Sequence, residues 1–164
     1  MKKIFPLFVA VLPLITFQYC KKGDPGPEGN ANVLSKTFSP ANITWNSVTE
    51  FGTNYKVADL DIPQITDDII TNGAVLVYAG LLFSEQTWTA LPVSFSENGV
   101  TKLWTFGVKA GAVRLRYSQS NNITPSSPTI AFKVVYMTGK AVSLAKRKGI
   151  NLSNYTGVQH LGGL

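Results

Sequence analysis

From residue 33 onward the chain is written mostly in period two. Val113, Leu115 and Tyr117 alternate with Arg114, Arg116 and Ser118, the signature of a strand with one face in a core and one in water. Ala58, Leu60 and Ile62 alternate in the same way with Asp59 and Asp61. Trp104, Phe106 and Val108 share one face of the segment 101–109, and Ile130, Phe132, Val134 and Tyr136 share one face of another, with Lys133 opposite. The run Ala74 to Phe83 differs, being apolar at successive positions, as in a central strand covered on both faces. Turn residues separate these runs at Asn98-Gly99, at Ala110-Gly111 and over 121–128.

Helical spacing is confined to short stretches. Between Pro63 and Asn72, Ile65, Ile69 and Ile70 form an apolar stripe, Thr66 or Asp67 can cap the start, and Gly73 closes the end. Asp67 and Asp68 suit the first turn, where the helix dipole favours negative charge. A second helix is expected over 141–148 with Gly149 as its stop, and a last turn from Ser153. These elements predict an all-β fold over residues 33–164, an antiparallel β-sandwich or jelly-roll-like domain with one or two short helices. No solenoid or propeller period is present.

Residues 1–19 follow a different plan. Met1-Lys2-Lys3 is basic and Ile4 to Phe17 is almost wholly apolar, as in a bacterial export signal. The apolar run, about 14 residues, falls short of the roughly 20 that span a bilayer as a helix, and Pro6 and Pro13 weaken it further as a span. Cys20 follows directly and is the only cysteine. A lone cysteine at the end of such a leader is where a lipoprotein is cleaved and acylated, although Phe17 and Tyr19 are bulkier than such signals prefer. The expectation is a mature chain that begins at Cys20 and is lipid-anchored in the bacterial cell envelope, at the outer membrane. Several acyl chains, at about 0.8 kcal/mol per buried methylene, make such attachment effectively permanent. The basic pair Lys21-Lys22 does not distinguish the inner from the outer membrane. The absence of a second cysteine suits an exported domain that folds without disulfides.

Residues 20–32 read as a tether. Gly23-Asp24-Pro25-Gly26-Pro27-Glu28-Gly29 places glycine at every third position, the collagen spacing. So short a run cannot hold a triple helix, so an extended, polyproline-like spacer is expected. With Cys20 and the GDPGPEG run, the junction Gly29-Asn30-Ala31-Asn32-Val33 resembles exported lipoproteins of Bacteroidetes-type bacteria with collagen-like tethers and a small β-rich domain. Pro63-Gln64-Ile65-Thr66-Asp67-Asp68-Ile69 with Asn72-Gly73, the strand Ala74 to Tyr78, and Gly149-Ile150-Asn151-Leu152-Ser153-Asn154-Tyr155 extend the likeness along the chain. The resemblance implies an exported lipoprotein domain of largely unassigned function, and brings no active-site residues with it.

Charge narrows the partners. The chain has 15 basic and 9 acidic residues; without Lys2 and Lys3 the balance is +4, and the basic side chains are mostly scattered. Export and the lack of an aromatic-basic signature argue against a nucleic-acid role. Lys140, Lys146, Arg147 and Lys148 fit a solvated helix end better than a contact with lipid phosphates. His160, the sole histidine, lacks the companions of a zinc site or a catalytic triad. Asp59 and Asp61 share one face of a strand and are the candidates for a metal or for paired-carboxylate hydrolysis; cross-strand pairing with basic side chains is the commoner fate. Trp104 belongs to an apolar face and reads as core.

Trp45 and Trp88 lie in polar surroundings, Asn42 to Ser47 and Ser84 to Thr89, and are the candidates for stacking on a sugar ring. A tryptophan in a small β-domain is also often a core or rim anchor. The function expected is that of a non-enzymatic binding domain without cofactor, presented on the tether and recognising a glycan or a surface protein. The alternatives are an envelope hydrolase using Asp59 and Asp61, or a purely structural tethered protein.

Overall fold

The computed structural model describes residues 32–80 and 88–162. The leader, Cys20 and the glycine-rich tether lie outside the described residues. The architecture is an antiparallel β-sandwich with a few short helices. One sheet has the order β1-β9-β4-β5 and the other β2-β3-β8-β7-β6. Their ranges are β1 Val33–Phe38, β2 Asn46–Glu50, β3 Thr53–Asp61, β4 Ala74–Gly80, β5 Trp88–Ala90, β6 Val93–Glu97, β7 Val100–Lys109, β8 Ala112–Gln119 and β9 Phe132–Met137. The helices are α1 Asp67–Asn72, α2 Gly139–Arg147 and α3 Tyr155–Gly162.

The alternation seen along the chain is what fills the space between the sheets. Ala58 and Leu60 of β3, Trp104 of β7, and Val113, Leu115 and Tyr117 of β8 meet Val77 and Ala79 of β4 and Phe132, Val134 and Tyr136 of β9. Burying an aliphatic or aromatic side chain of this kind contributes about 1.5–3 kcal/mol relative to leaving it in water. Trp104 stacks on Tyr117 with ring centroids 4.3 Å apart. Ile62 and Ile65, where β3 leads into α1, close one end of this core.

The four-stranded sheet is buried on its second face as well. Tyr78 of β4 with Val135 and Met137 of β9 pack against Ala141 of α2 and Val158 of α3. Ala141 and Ala145, four residues apart, are the buried residues of α2. The molecule therefore has three layers, five-stranded sheet, four-stranded sheet, then α2 and α3. Lys133 is the one charged side chain that β1, β9, β4 and β5 direct toward the helical layer.

Local details refine the expected elements. The cap of α1 is Thr66, whose hydroxyl accepts from the Ile69 amide at 3.4 Å, and Ile70, expected in the apolar stripe, is exposed. Helix α2 begins at Gly139, two residues earlier than the pattern indicated, and Gly149 at φ +64 follows its end. The apolar run from Ala74 forms strand to Gly80, and Leu81 to Phe83 fall outside the described residues.

Candidate binding site

Strand β5 is the edge of the four-stranded sheet, and its register sets Trp88 opposite Gly80 of β4. The glycine leaves room for the indole to lie over the neighbouring backbone, since a Cβ at residue 80 would sit 3.2 Å from Trp88 Cζ3. One strand further in, Lys133 of β9 pairs with Tyr78 on one side and Thr37 on the other, so its backbone is fixed by two neighbours. Its side chain emerges beside Trp88, with Nζ 4.6 Å from the ring centroid.

The third wall comes from the C-terminal segment. Asn154 caps α3, its side-chain oxygen accepting from the Thr156 amide at 3.0 Å and its carbonyl from Val158 N–H at 3.2 Å. Asn151 orders the preceding turn by accepting from the Ser153 amide. Tyr155, the first helical residue, then meets Tyr78 edge to face at 5.2 Å and lies tilted against Trp88 at 6.1 Å. Lys133 Nζ donates to the Tyr155 hydroxyl at 2.5 Å and sits 4.4 Å from that ring as well.

These pieces enclose an open cavity of about 760 Å³, lined by Trp88, Thr89, Ala90, Lys133, Tyr155 and the polar side chains around Asn154 and Gln159. Its volume is within the ~300–1,000 Å³ range usual for small-molecule sites. Among the described residues, two aromatic walls, hydroxyls from Thr89, Ser153 and Thr156, amides from Asn154 and Gln159, and a single cation make up its chemistry.

The other candidates sit elsewhere. Trp45 is drawn into the sandwich, edge to face with Trp104 at 6.1 Å and tilted against Phe132 at 6.0 Å. Its indole N–H is buried without a hydrogen-bond partner among the described residues, and its ring is a core anchor, not a free platform. Trp88 lines a cavity, but Lys133 already covers its ring, so a sugar would meet an aromatic wall carrying a cation and not a bare face. Asp59 is taken by Arg114, directly opposite in the register, through two bonds of 2.9 and 2.7 Å. That guanidinium holds the Asp59 carboxyl below its ordinary value. Asp61 is exposed and is not a member of this ion pair, and no group of three or more His, Cys, Asp or Glu residues able to hold a metal occurs among the described residues. His160 is exposed near the end of α3.

Lys133 and Tyr155 are the site residues that the sequence did not single out. The signal for Lys133 lay in its neighbours, because Val135 and Met137 on the same face of β9 are apolar. A solvent face would not carry them, so Lys133 had to border something buried. Compared with protein-family models, with curated proteins and with solved structures, the chain matches none of them.

Proposed function

We propose that this chain is a lipoprotein of the bacterial cell envelope whose β-sandwich is a non-enzymatic glycan-binding module, with its site at the cavity between Trp88 and Tyr155. The support for the ligand class is the lining itself: aromatic walls beside a dense set of hydroxyl and amide side chains. Sugars carry apolar C–H patches between hydroxyls, and such a lining answers both at once. Of the two tryptophans considered for this role, Trp88 borders the cavity and Trp45 packs into the core. For the anchor, the support is the basic and apolar leader ending at Cys20 and the glycine- and proline-rich spacer after it.

The ligand is tested with a glycan array probed by the chain from residue 20 onward carrying Cys20→Ser, alongside Gln159→Ala, Thr156→Ala and Trp88→Ala. Binding that weakens in folded variants locates the site at this cavity. Binding to no glycan rejects the ligand class. The anchor is tested separately by feeding labelled palmitate to cells: label in the wild-type chain and none in Cys20→Ser is expected, and an unlabelled wild type rejects acylation.

A further inference from the structure

Resting on the glycan reading of the Trp88–Tyr155 cavity, we infer that the sugar recognised there is acidic, its anionic oxygens received by Lys133. Three of the six acidic side chains among the described residues are paired: Glu50 with Arg116, Asp59 with Arg114 and Glu97 with Lys102. None of the six lines the cavity. Among the described residues, Lys133 thus has no carboxylate partner and is the only ionised group in the lining.

The ammonium is also placed before any ligand arrives. Its backbone is held in the interior of a sheet, and its head is fixed by the Tyr155 hydroxyl and by the Trp88 and Tyr155 rings at 4.6 and 4.4 Å. A lysine ammonium has three donors, and the Tyr155 hydroxyl is the one hydrogen-bond acceptor it has among the described residues. The remaining donors suit a carboxylate or a sulfate ester in the cavity. Because the side chain is already ordered, little rotamer freedom is lost when the anion binds. A purely structural lysine, clipping α3 to the sheet through cation–π contacts, would give the same apo geometry and no preference among ligands.

The test compares ligands on the wild-type chain first, so it does not depend on a variant folding. A uronate-containing oligosaccharide, its carboxyl-reduced neutral counterpart and a sulfated neutral oligosaccharide are titrated by calorimetry at low and high salt. A charge-assisted contact predicts about tenfold tighter binding of an acidic form than of the neutral one, a preference that shrinks as salt rises. The tighter of the two acidic arms identifies carboxylate or sulfate as the group received. Lys133→Met should erase the preference while still binding the neutral sugar, and Lys133→Arg should keep it. Equal binding of acidic and neutral forms by the wild type overturns this inference and leaves the glycan reading standing. An acidic preference that survives Lys133→Met also overturns it, and failure to bind any of the three sugars removes both readings.

Discussion

The hydroxyl of Tyr78 donates to the carbonyl of Leu152 at 2.9 Å. This bond joins the middle of the four-stranded sheet to the segment that carries Ser153, Asn154 and Tyr155 into the cavity wall. Tyr78 is wholly buried, and burial pushes its hydroxyl from 10.0 up to about 12. A raised value in the folded state means that the protein resists ionising the phenol. The stability it brings is complete below pH 10 and is lost as the pH climbs toward 12. Tyr78→Phe should therefore be about 1 kcal/mol less stable than wild type at pH 7, and the gap should close and then reverse as the pH climbs from 10 toward 12. Urea unfolding across that range checks it; parallel curves would assign the alkaline titration to another group.

A second relationship concerns turn geometry. The two-residue loops Phe51-Gly52 and Asn98-Gly99 have nearly the same backbone, with φ of 51 and 78 in the first and 51 and 75 in the second. Such turns favour Asn-Gly because both central residues are left-handed. Phenylalanine accepts that conformation poorly, at a cost of about 1–2 kcal/mol, and Phe51 is fully exposed at 106 %. Phe51→Asn should raise stability by about 1 kcal/mol, seen as a higher thermal midpoint. A lower midpoint would mean that the Phe51 ring makes stabilising contacts the geometry does not reveal.

What was legible in the sequence follows from how many neighbours a strand has. The five strands anticipated from the pattern, β3, β7, β8 and β9 by alternation and β4 by an unbroken apolar run, are the interior strands of the two sheets. Their neighbours on both sides oblige the inward positions to be apolar. Those passed over, β1, β2, β5 and β6, are the four edges. Strand β2 buries no side chain and β1 only its end residues Val33 and Phe38, so neither carries a period. The cavity was harder still. Trp88 was suggested by its polar neighbours, but Lys133 and Tyr155 lie on separate elements, and only the return of α3 across the outer face of the sheet brings all three together.

The five-stranded sheet turns a charged face to water, and its Asp59–Arg114 pair sets a pH response. Arg114 donates to both oxygens of Asp59, lowering the carboxyl below its ordinary 3.8. A depressed value makes the contribution full above the ordinary range and lost as pH falls below it through the folded value. Both side chains are 39 % exposed, so water and salt screen the pair and its worth is about 0.5–1 kcal/mol. Asp59→Asn should cost that much at pH 7, less in high salt, and nothing once acid has protonated the wild-type carboxyl. An undiminished difference at low pH would point to packing, not charge.

The two tryptophans first considered together should separate cleanly under mutation. Trp45 lies against Trp104 and Phe132 at the end of the sandwich, so Trp45→Ala leaves a hole in the core and should cost about 3 kcal/mol. Trp45→Phe gives up ring area but also removes an N–H that is buried without a partner among the described residues, a group whose desolvation costs about 1–3 kcal/mol. That variant should fold within about 1 kcal/mol of wild type and bind glycan unchanged. Trp88 is half-buried on an edge strand and packs on Gly80, Lys133 and Tyr155. Its replacement by alanine should cost less stability than Trp45→Ala, yet weaken glycan binding, because the cavity loses a wall and Lys133 loses one of the two rings that place its ammonium. Chemical unfolding and sugar titration on the same three variants decide the matter. Binding lost in Trp45→Phe and kept in Trp88→Ala would move the site from the outer face of the four-stranded sheet to the end of the sandwich.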